Sequence, residues 1–390
     1  MGVRRIINKM ALNKLGFELR RLDTRVASIA SLKPEKSVKG NMLISYVIDP
    51  FFMREEDLPT SHTRFWESLQ IARTFLDKGY CVDVINFDNS DFVPEKKYDF
   101  FVGSRTNFQR IAELLNPECV KIAHLTVAHW LFNNTAQYVR LSAVKKKKGV
   151  TIAPRKMVEV NYALEYADYA TILGNEFTLG TYNYEDKQLF PIPISTPVIY
   201  PWPEDKDFHV CRNNFIWFGS DGLVHKGLDL VLEAFAEMPD MNLTVCGPVS
   251  AEKDFERVYY KELYNTSNIR TVGWVDIGAP AFAEITKNSI GLIYPSCSEG
   301  QSGGVLTCLH ASLIPVVSYE SGVSVDDFGV VLKQSSIAEI KNAVRAVSNL
   351  TAQQAKSMAR KAWEYATANH TREAFSREYN KAISTIMGSN

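Results

Sequence analysis

The stretch that most constrains the fold of this chain is FIWFGSDGLVHKGLDL, residues 215–230. Its apolar start, residues 215–218, predicts a buried strand of a parallel sheet. A turn rich in small residues begins at Gly219, and apolar residues recur at helical spacing after Lys226. Because a helix N-terminus favours anions and Lys226 adds a positive charge, the pattern predicts a site for a phosphate-bearing ligand. An ordinary strand-to-helix turn with a solvated lysine is the alternative.

A second stretch, IYPSCSEGQSGGVLTCLHASLIPVVSYESG, covers residues 293–322. It predicts a short strand over 290–294, a loop of small residues that contains Glu299, and a helix over 305–312. A carboxylate just before a helix start, beside open backbone amides, suits a polyol ligand, since the carboxylate accepts from hydroxyls and the amides bind oxygens. A helix cap without a ligand is the alternative.

Together the two stretches resemble the C-terminal half of retaining glycosyltransferases of the GT-B fold, the large family 4 group. The resemblance rests on the glycine turn with Lys226-Gly227 before a helix, then P-S-x-x-E-G and a helix that ends before P-V. It covers residues 214–322 well and the first half of the chain more loosely. The resemblance implies an α/β architecture, GT-B, in which two facing doubly wound Rossmann-like domains enclose a cleft.

The resemblance also implies site residues. Lys226 would neutralise the diphosphate of a nucleotide-sugar donor, Glu299 would hold hydroxyls of the donor sugar, and Val275 would touch the base through its backbone. The remaining donor-binding residues implied are Gly219, Ser220, Gly300, Gln301, Ser302, Gly303, Gly304 and Thr307.

Three positions depart from the family pattern. Asp221 stands where the family usually has an arginine five residues before the lysine. Thr307, or Cys308 in a shifted register, stands where a second glutamate usually contacts the ribose. His62-Thr63 replaces the usual glycine pair in the first loop of the N-terminal domain. These departures leave nucleotide recognition and the acceptor side less defined than the fold.

The stretch HLTVAHWLFNNTAQYVRL follows the fourth strand predicted in the first half. By resemblance, the histidine of this loop reaches across the cleft to the donor, and His129 is the closer match. His129 is therefore predicted to be catalytic, with Lys226 and Glu299. The alternative is that His129 caps a helix or bonds a backbone carbonyl. His124 lies inside the strand pattern and is predicted to be a core histidine.

Alternating strands and helices predict a domain over residues 41–200, and prolines between 190 and 204 mark its end. Residues 158–167 have apolar residues at helical spacing. A second domain is predicted over 211–370, and the last segment, 371–390, would be a helix that crosses back to the first domain. Residues 1–40 are predicted to be a basic helix over 1–25 followed by a linker over 26–40.

Composition restricts the class of protein. The chain has 390 residues, 46% hydrophobic and 23% charged, with no net charge, which is typical of a soluble two-domain enzyme and does not favour nucleic-acid binding. Its six cysteines form no CxxC pair, which predicts free thiols in a reducing cytoplasm. The start resembles no signal peptide, and no apolar run of membrane-spanning length occurs.

Two basic segments raise the question of a membrane surface. Residues 1–25 contain seven basic and two acidic residues among interleaved apolar ones, and residues 145–148 are all lysine. An anionic membrane surface at the inner face of the membrane is one interpretation, with the protein attached peripherally from the cytoplasm. A helix packed on its own domain and a solvated helix end are the alternatives.

The sequence as a whole predicts a glycosyltransferase that moves a sugar from a nucleotide-sugar donor to a glycan or lipid-linked acceptor with retention, in bacterial-type surface polysaccharide synthesis. No Asp-x-Asp motif lies in a plausible site, so we expect that no metal or other cofactor is required. A catalytically inactive, two-lobed sugar-nucleotide binding protein is the main alternative, and an epimerase or phosphorylase of the same fold is a third.

Overall fold

A computed structural model of the protein describes residues 29–35 and 37–389. Two sheets, each flanked by helices, make up most of it. The basic segment 1–25 lies outside the described residues. Within the described part of the chain, no helix combines the length and the apolar character needed to cross a bilayer. The six cysteines are free, and all except Cys81 are buried.

The first sheet contains seven strands. They are β1 (Ile29–Leu32), β2 (Gly40–Tyr46), β3 (Tyr80–Asn86), β4 (Phe100–Gly103), β5 (Val120–Leu125), β6 (Tyr169–Leu173) and β7 (Gln188–Ile192). Their order is β1-β3-β2-β4-β5-β6-β7, and only β1 runs antiparallel to its neighbour. The parallel strands are apolar runs because helices cover both faces of such a sheet. The prediction of a linker over 26–40 is wrong for residues 29–32, which pair with β3 as the edge strand.

The helices of this domain include one that the sequence analysis missed. They are α1 (Arg64–Asp77), α2 (Asn107–Leu114), α3 (Trp130–Lys148) and α4 (Glu176–Gly180). The missed helix is α3, which occupies the polar stretch after β5. Conversely, residues 158–167 form extended chain and a turn rather than a helix. The N–H and C=O groups of Val158 bond the side chain of Asn134 on α3, so its backbone is satisfied without helix formation.

The second sheet is entirely parallel. Its strands are β8 (Asn214–Phe218), β9 (Asn242–Cys246), β10 (Ile269–Gly273), β11 (Gly291–Tyr294), β12 (Ile314–Ser318) and β13 (Val330–Leu332), in the order β10-β9-β8-β11-β12-β13. This order reverses direction between β8 and β11, which is the switch point of a doubly wound sheet. The loops that follow β8 and β11 therefore open next to each other, and they carry the two motifs.

The helices around the second sheet are α5 (Leu228–Ala236), α6 (Lys253–Val258), α7 (Tyr260–Tyr264), α8 (Pro280–Lys287), α9 (Gly303–His310), α10 (Ile337–Ser348) and α11 (Ala352–Asn369). In the first sheet, β2 and β4 are the neighbours at the corresponding switch point. Both sheets thus direct the loops of their switch points toward one cleft. The α/β, doubly wound fold class is confirmed.

The last helix, α12 (Arg372–Gly388), packs on the first domain, against α1, β6 and β7. Phe375 is fully buried, and its ring meets Trp66 of α1 edge-on at 5.9 Å and stacks on Tyr379 at 5.6 Å. Because Phe375 lies far from the end of α1 in sequence, this contact joins the end of the chain to the beginning of the first domain.

We expect Phe375→Ala to lower the free energy of unfolding by roughly 3–5 kcal/mol, because it removes a buried aromatic ring and leaves a cavity. Arg377→Ala, on the exposed side of the same helix, should change it by less than about 0.5 kcal/mol. Urea titration followed by tryptophan fluorescence would measure both. Equal effects of the two substitutions would contradict the packing described for α12.

Candidate active site

A cleft of about 860 Å³ lies between the carboxyl ends of the two sheets. Its walls contain every site residue predicted above except His129: Gly219, Ser220, Lys226, Val275, Glu299, Gly300, Gln301, Ser302, Gly303, Gly304 and Thr307. The first domain contributes the facing wall, including His62, Arg64 and Arg105, which follow β2 and β4. Two motifs far apart in sequence therefore line one cavity.

Lys226 and Glu299 contact each other directly. The Lys226 Nζ donates to Glu299 Oε1 at 2.7 Å and to the Tyr294 hydroxyl at 2.9 Å. The hydroxyls of Tyr294 and Ser296 donate to the same carboxylate oxygen at 2.8 and 3.1 Å. Glu299 Oε2 accepts no hydrogen bond from the described residues, which leaves that oxygen for a ligand in the cleft.

The two charges stabilise each other in a buried place. Only 8% of the Lys226 side chain and 19% of the Glu299 side chain are exposed. Burial raises the pKa of Glu299, but the Lys226 ammonium, together with His225 and the Tyr294 hydroxyl, outweighs it and brings the pKa to about 2. Burial likewise lowers the pKa of Lys226, and the Glu299 carboxylate together with Tyr294 more than reverses the effect, so this pKa lies above its usual range. Both groups are charged at neutral pH, and Glu299 contributes stability that is full above its ordinary pKa and is lost as pH falls toward 2.

His225 holds the two loops together. Its Nε2 lies within hydrogen-bond distance of the Ser298 carbonyl, which can only accept, so Nε2 carries the proton. Nδ1 lies 3.5 Å from the Cys297 sulfur, and the His225 carbonyl accepts from the Cys297 N–H at 2.9 Å. Burial lowers the pKa of His225 to about 4, so the ring is neutral and this arrangement persists at neutral pH. His225 is not among the residues predicted from the sequence, although its position beside Lys226 was an available signal.

The turn after Lys226 depends on a glycine. Gly227 has φ = 74°, the left-handed region, and precedes α5 as its N-cap residue. A side chain there would collide with the Pro295 carbonyl in the loop after β11. The K-G pair in the sequence thus marks a place where the two loops approach too closely for any other residue.

Several backbone amides of the glycine turn are already hydrogen-bonded within the protein. The Gly219 N–H donates to the Cys246 carbonyl at 3.0 Å. The N–H groups of Gly222 and Leu223 both donate to the buried Glu252 carboxylate, so the protein supplies its own anion at this turn. The Gly219 amide is thus engaged within the protein, whereas Gly219 and Ser220 both line the cleft, and their role in donor binding stays a prediction.

The N-terminus of α9 is the better anion site. Ser302 caps the helix through its side chain, which accepts from the Val305 N–H at 3.4 Å. Gly303 and Gly304 begin the helix and line the cleft, where their N–H groups have no partner within the helix. The loop before α9 also touches the first domain, because the Thr178 hydroxyl donates to the Gly300 carbonyl at 2.6 Å.

The structure places His129 away from the cleft wall. His129 is the N-cap residue of α3, where its Nδ1 accepts from the Leu131 N–H at 3.4 Å. Its ring packs near Tyr182 and Tyr184, with centroids 5.4 and 4.9 Å away. This placement agrees with the helix-cap alternative, and a catalytic role for His129 stays a prediction. His124 is buried and bonds the Thr171 hydroxyl, as a core histidine would.

His62 is the histidine that lines the cleft from the first domain. The surrounding protein and then the nearby cations, chiefly Arg64 and Lys156, lower its pKa to about 4. The ring is therefore neutral near pH 7 and can donate one hydrogen bond and accept another. The sequence analysis noted His62 only as a departure from a glycine pair.

The basic cluster of residues 145–148 is partly engaged within the protein. Lys147 pairs with Glu233, and Lys148 pairs with Glu262 at 3.0 Å, both on helices of the second domain. These ion pairs join the end of α3 to the other domain. Two of the four lysines that were considered for a membrane surface therefore have partners within the protein. Across the described residues, no group of three His, Cys, Asp or Glu side chains is arranged to hold a metal ion.

Comparisons with known proteins identify the fold. No protein-family model matches the chain, and no curated protein sequence does. Sucrose-phosphate synthase from Thermosynechococcus elongatus superimposes with a TM-score of 0.61 and 14% identity, over 90% of this chain and 99% of that one. WaaG, described as a glycosyltransferase involved in lipopolysaccharide biosynthesis, gives 0.52 and 17%, over 89% and 99%.

A third similar structure is TarM from S. aureus, solved in complex with fondaparinux, α-GlcNAc-glycerol and UDP. It gives a TM-score of 0.50 with 14% identity over 72% of this chain, and this chain spans about half, 54%, of TarM. Similarities at such low identity establish the fold and leave the activity to be argued from the site. The chain has the GT-B fold, as the resemblance implied.

We expect Lys226→Met to lower the free energy of unfolding by roughly 3–5 kcal/mol, because it leaves the Glu299 charge buried without a partner. The double variant Lys226→Met/Glu299→Gln should recover part of that loss. Lys341→Met, which breaks an exposed pair with Glu237, should cost at most about 1 kcal/mol. Urea titration at pH 7 would measure all three, and a cost for Lys226→Met no larger than for Lys341→Met would contradict the buried pair.

Proposed function

We propose that this protein is a glycosyltransferase that moves a sugar from a nucleotide-sugar donor to a glycan or glycolipid acceptor with retention of configuration. The observation that carries the proposal is the contact of Lys226 with Glu299 at the switch point of the second sheet, in a cleft whose other wall belongs to the first domain. A cation and a carboxylate at that place suit the two unlike parts of such a donor, its diphosphate and its sugar.

The proposed roles follow from the geometry. The donor diphosphate lies against the Lys226 ammonium and the N-terminus of α9, and sugar hydroxyls donate to Glu299 Oε2. Val275 and Trp274 line the same cleft, and Trp274, 56% exposed, offers a ring face to the base. The bond from the anomeric carbon to the phosphate oxygen breaks as the acceptor oxygen attacks from the same face. The leaving phosphate takes the acceptor proton, and Lys226 stabilises its developing charge.

The proposal extends to the biological setting. WaaG is a glycosyltransferase involved in lipopolysaccharide biosynthesis, and TarM was solved with UDP and a GlcNAc-glycerol compound. The description of WaaG supports a role in the synthesis of surface polysaccharides. The proposal includes a cytoplasmic location with peripheral attachment to the inner face of the membrane. No resident metal is part of the proposed chemistry, because Lys226 and the helix N-terminus supply the positive charge.

A sugar-nucleotide binding protein without activity is the second candidate. It is favoured by Asp221 and Thr307, which replace two polar residues of the family pattern, and by Glu252, which occupies the amides of the glycine turn. Release of nucleoside diphosphate from a panel of nucleotide-sugars, in the presence of acceptor extracts, separates the two. NMR of the anomeric proton in the product then tests retention.

We expect Lys226→Met to weaken the binding of both the intact donor and the free nucleoside diphosphate, because both carry the phosphates. A charge-assisted bond is worth about 1.5–3 kcal/mol, so each loss should be roughly ten- to hundredfold. Glu299→Gln should weaken the intact donor and lower turnover but leave the diphosphate bound as well as before or better, because Lys226 then has no competing carboxylate. Calorimetry of both ligands against both variants measures these affinities. Weaker binding of the nucleoside diphosphate by Glu299→Gln would contradict the division of roles.

The two histidines provide a matched pair. His62→Ala should lower turnover roughly tenfold, since it removes one hydrogen-bonding group from the cleft. His129→Ala should reduce the free energy of unfolding by about 1 kcal/mol through loss of a helix cap, and a catalytic role of His129 would add a loss of turnover per folded molecule. Steady-state kinetics and urea titration would be measured on both. A loss of turnover confined to His129→Ala would restore the role predicted from the sequence.

A further inference from the structure

Lys156 adds a further positive charge of the first domain to the cleft, beside Arg64 and Arg105. Lys156 belongs to the extended segment after α3, and its Nζ donates to Asp221 Oδ1 at 2.8 Å. Asp221 belongs to the glycine turn after β8, so the contact joins the two domains across the cleft. Lys156 lines the cleft together with Lys226.

The first domain fixes the backbone of Lys156 without help from Asp221. The Lys156 N–H donates to Gln137 Oε1 at 3.1 Å, and its carbonyl accepts from Asn133 Nδ2 at 2.7 Å. Gln137 and Asn133 are on α3, and both are buried, 1% and 4% exposed. Buried side-chain amides that bond one backbone position hold it in place, so the lysine is positioned by its own domain.

The second domain leaves space for the lysine stem. Gly222 has φ = 84°, and a Cβ there would lie 2.5 Å from the Lys156 Cγ. The stem therefore packs directly on the glycine turn. Lys156 lines the cleft together with Gly219 and Ser220 of the same turn.

The ion pair of Lys156 with Asp221 is weak enough for a ligand to replace Asp221. The side chains of Lys156 and Asp221 are 34% and 56% exposed, whereas those of Lys226 and Glu299 are 8% and 19% exposed. An ion pair this open to solvent contributes at most about 1 kcal/mol, so Lys156 can leave Asp221 for a ligand at little cost. Lys226, by contrast, is held by its buried carboxylate.

The charges of Lys156 and Lys226 act on the same part of the cleft. Burial lowers the pKa of His225, and the positive charges of Lys226 and Lys156 both lower it further. The two ammonium groups therefore lie around one part of the cleft. Since Glu299 offsets part of the charge of Lys226, a further cation in that part of the cleft strengthens its attraction for a diphosphate.

We propose that Lys156 is a second ligand of the donor diphosphate, supplied by the first domain, and that it exchanges Asp221 for a phosphate oxygen when the donor binds. This inference rests on the proposed function. With Lys156 and Lys226, each domain supplies a cation to the leaving diphosphate. Lys156 would compensate for the arginine of the family pattern, whose position is held in this chain by Asp221. It also means that a donor bound to the second domain ties the first domain to it.

The test compares Lys156→Ala with Asp221→Ala, because both break the same ion pair but only one removes the ligand. Calorimetry would use UDP, GDP and ADP, each against its own nucleoside. We expect Lys156→Ala to weaken the best diphosphate roughly ten- to hundredfold and to leave the nucleoside unchanged. Asp221→Ala should bind the diphosphate as well as the wild type or better, because it frees the lysine. Lys146→Ala, an exposed lysine of α3, is the control and should match the wild type.

The outcomes separate the inference from the proposed function. Equal losses in Lys156→Ala and Asp221→Ala would show that the pair only links the domains and would overturn the inference. Diphosphate binding by Lys156→Ala equal to the wild type would also overturn it, while the proposed function stands. Failure of the wild-type protein to bind any diphosphate or nucleotide-sugar would overturn both.

Discussion

The buried pair of Lys226 and Glu299 is the interaction on which the site depends. Either charge alone would be strongly destabilising in a place this little exposed to solvent, and each charge keeps the other group ionised. Tyr294 and Ser296 complete the set of donors around one carboxylate oxygen, so the other oxygen and the remaining ammonium hydrogen are left for a ligand. The pair exists because β8 and β11 are neighbours at the switch point, which brings their following loops to one place.

The second constraint is the way in which the two domains share the cleft. The side chains of α3 satisfy the backbone of an extended segment, and that segment delivers Lys156 to the glycine turn of the other domain. Lysines at the end of the same helix pair with acidic residues of the second domain. Lysines that resemble a surface patch in the sequence are thus partly an interdomain contact. Only the lysines without such a partner stay available for the proposed contact with a membrane surface.

The sequence predicted the repeated strands and helices well because buried parallel strands are continuous apolar runs with local boundaries. It failed around α3, where no helix was predicted for the polar stretch after β5, and at residues 158–167, where apolar spacing predicted a helix. The polar face of α3 is occupied by backbone groups of residues 155–158, and these hydrogen bonds have no local signature in the sequence. For His129 the sequence left capping as the alternative, and the structure shows the helix that it precedes.

By itself, the sequence determined the α/β class and the two motifs after β8 and β11, because glycine turns and helix starts are encoded by adjacent residues. The family resemblance also named residues that line the cleft, and their part in donor binding stays a prediction. The tertiary structure decided which charges meet. Lys226 and Glu299 are 73 residues apart, and Lys156 and Asp221 are 65 apart. Their contacts follow from strand order and domain packing, and the choice of partner for each charge depends on burial, which no local pattern of residues specifies.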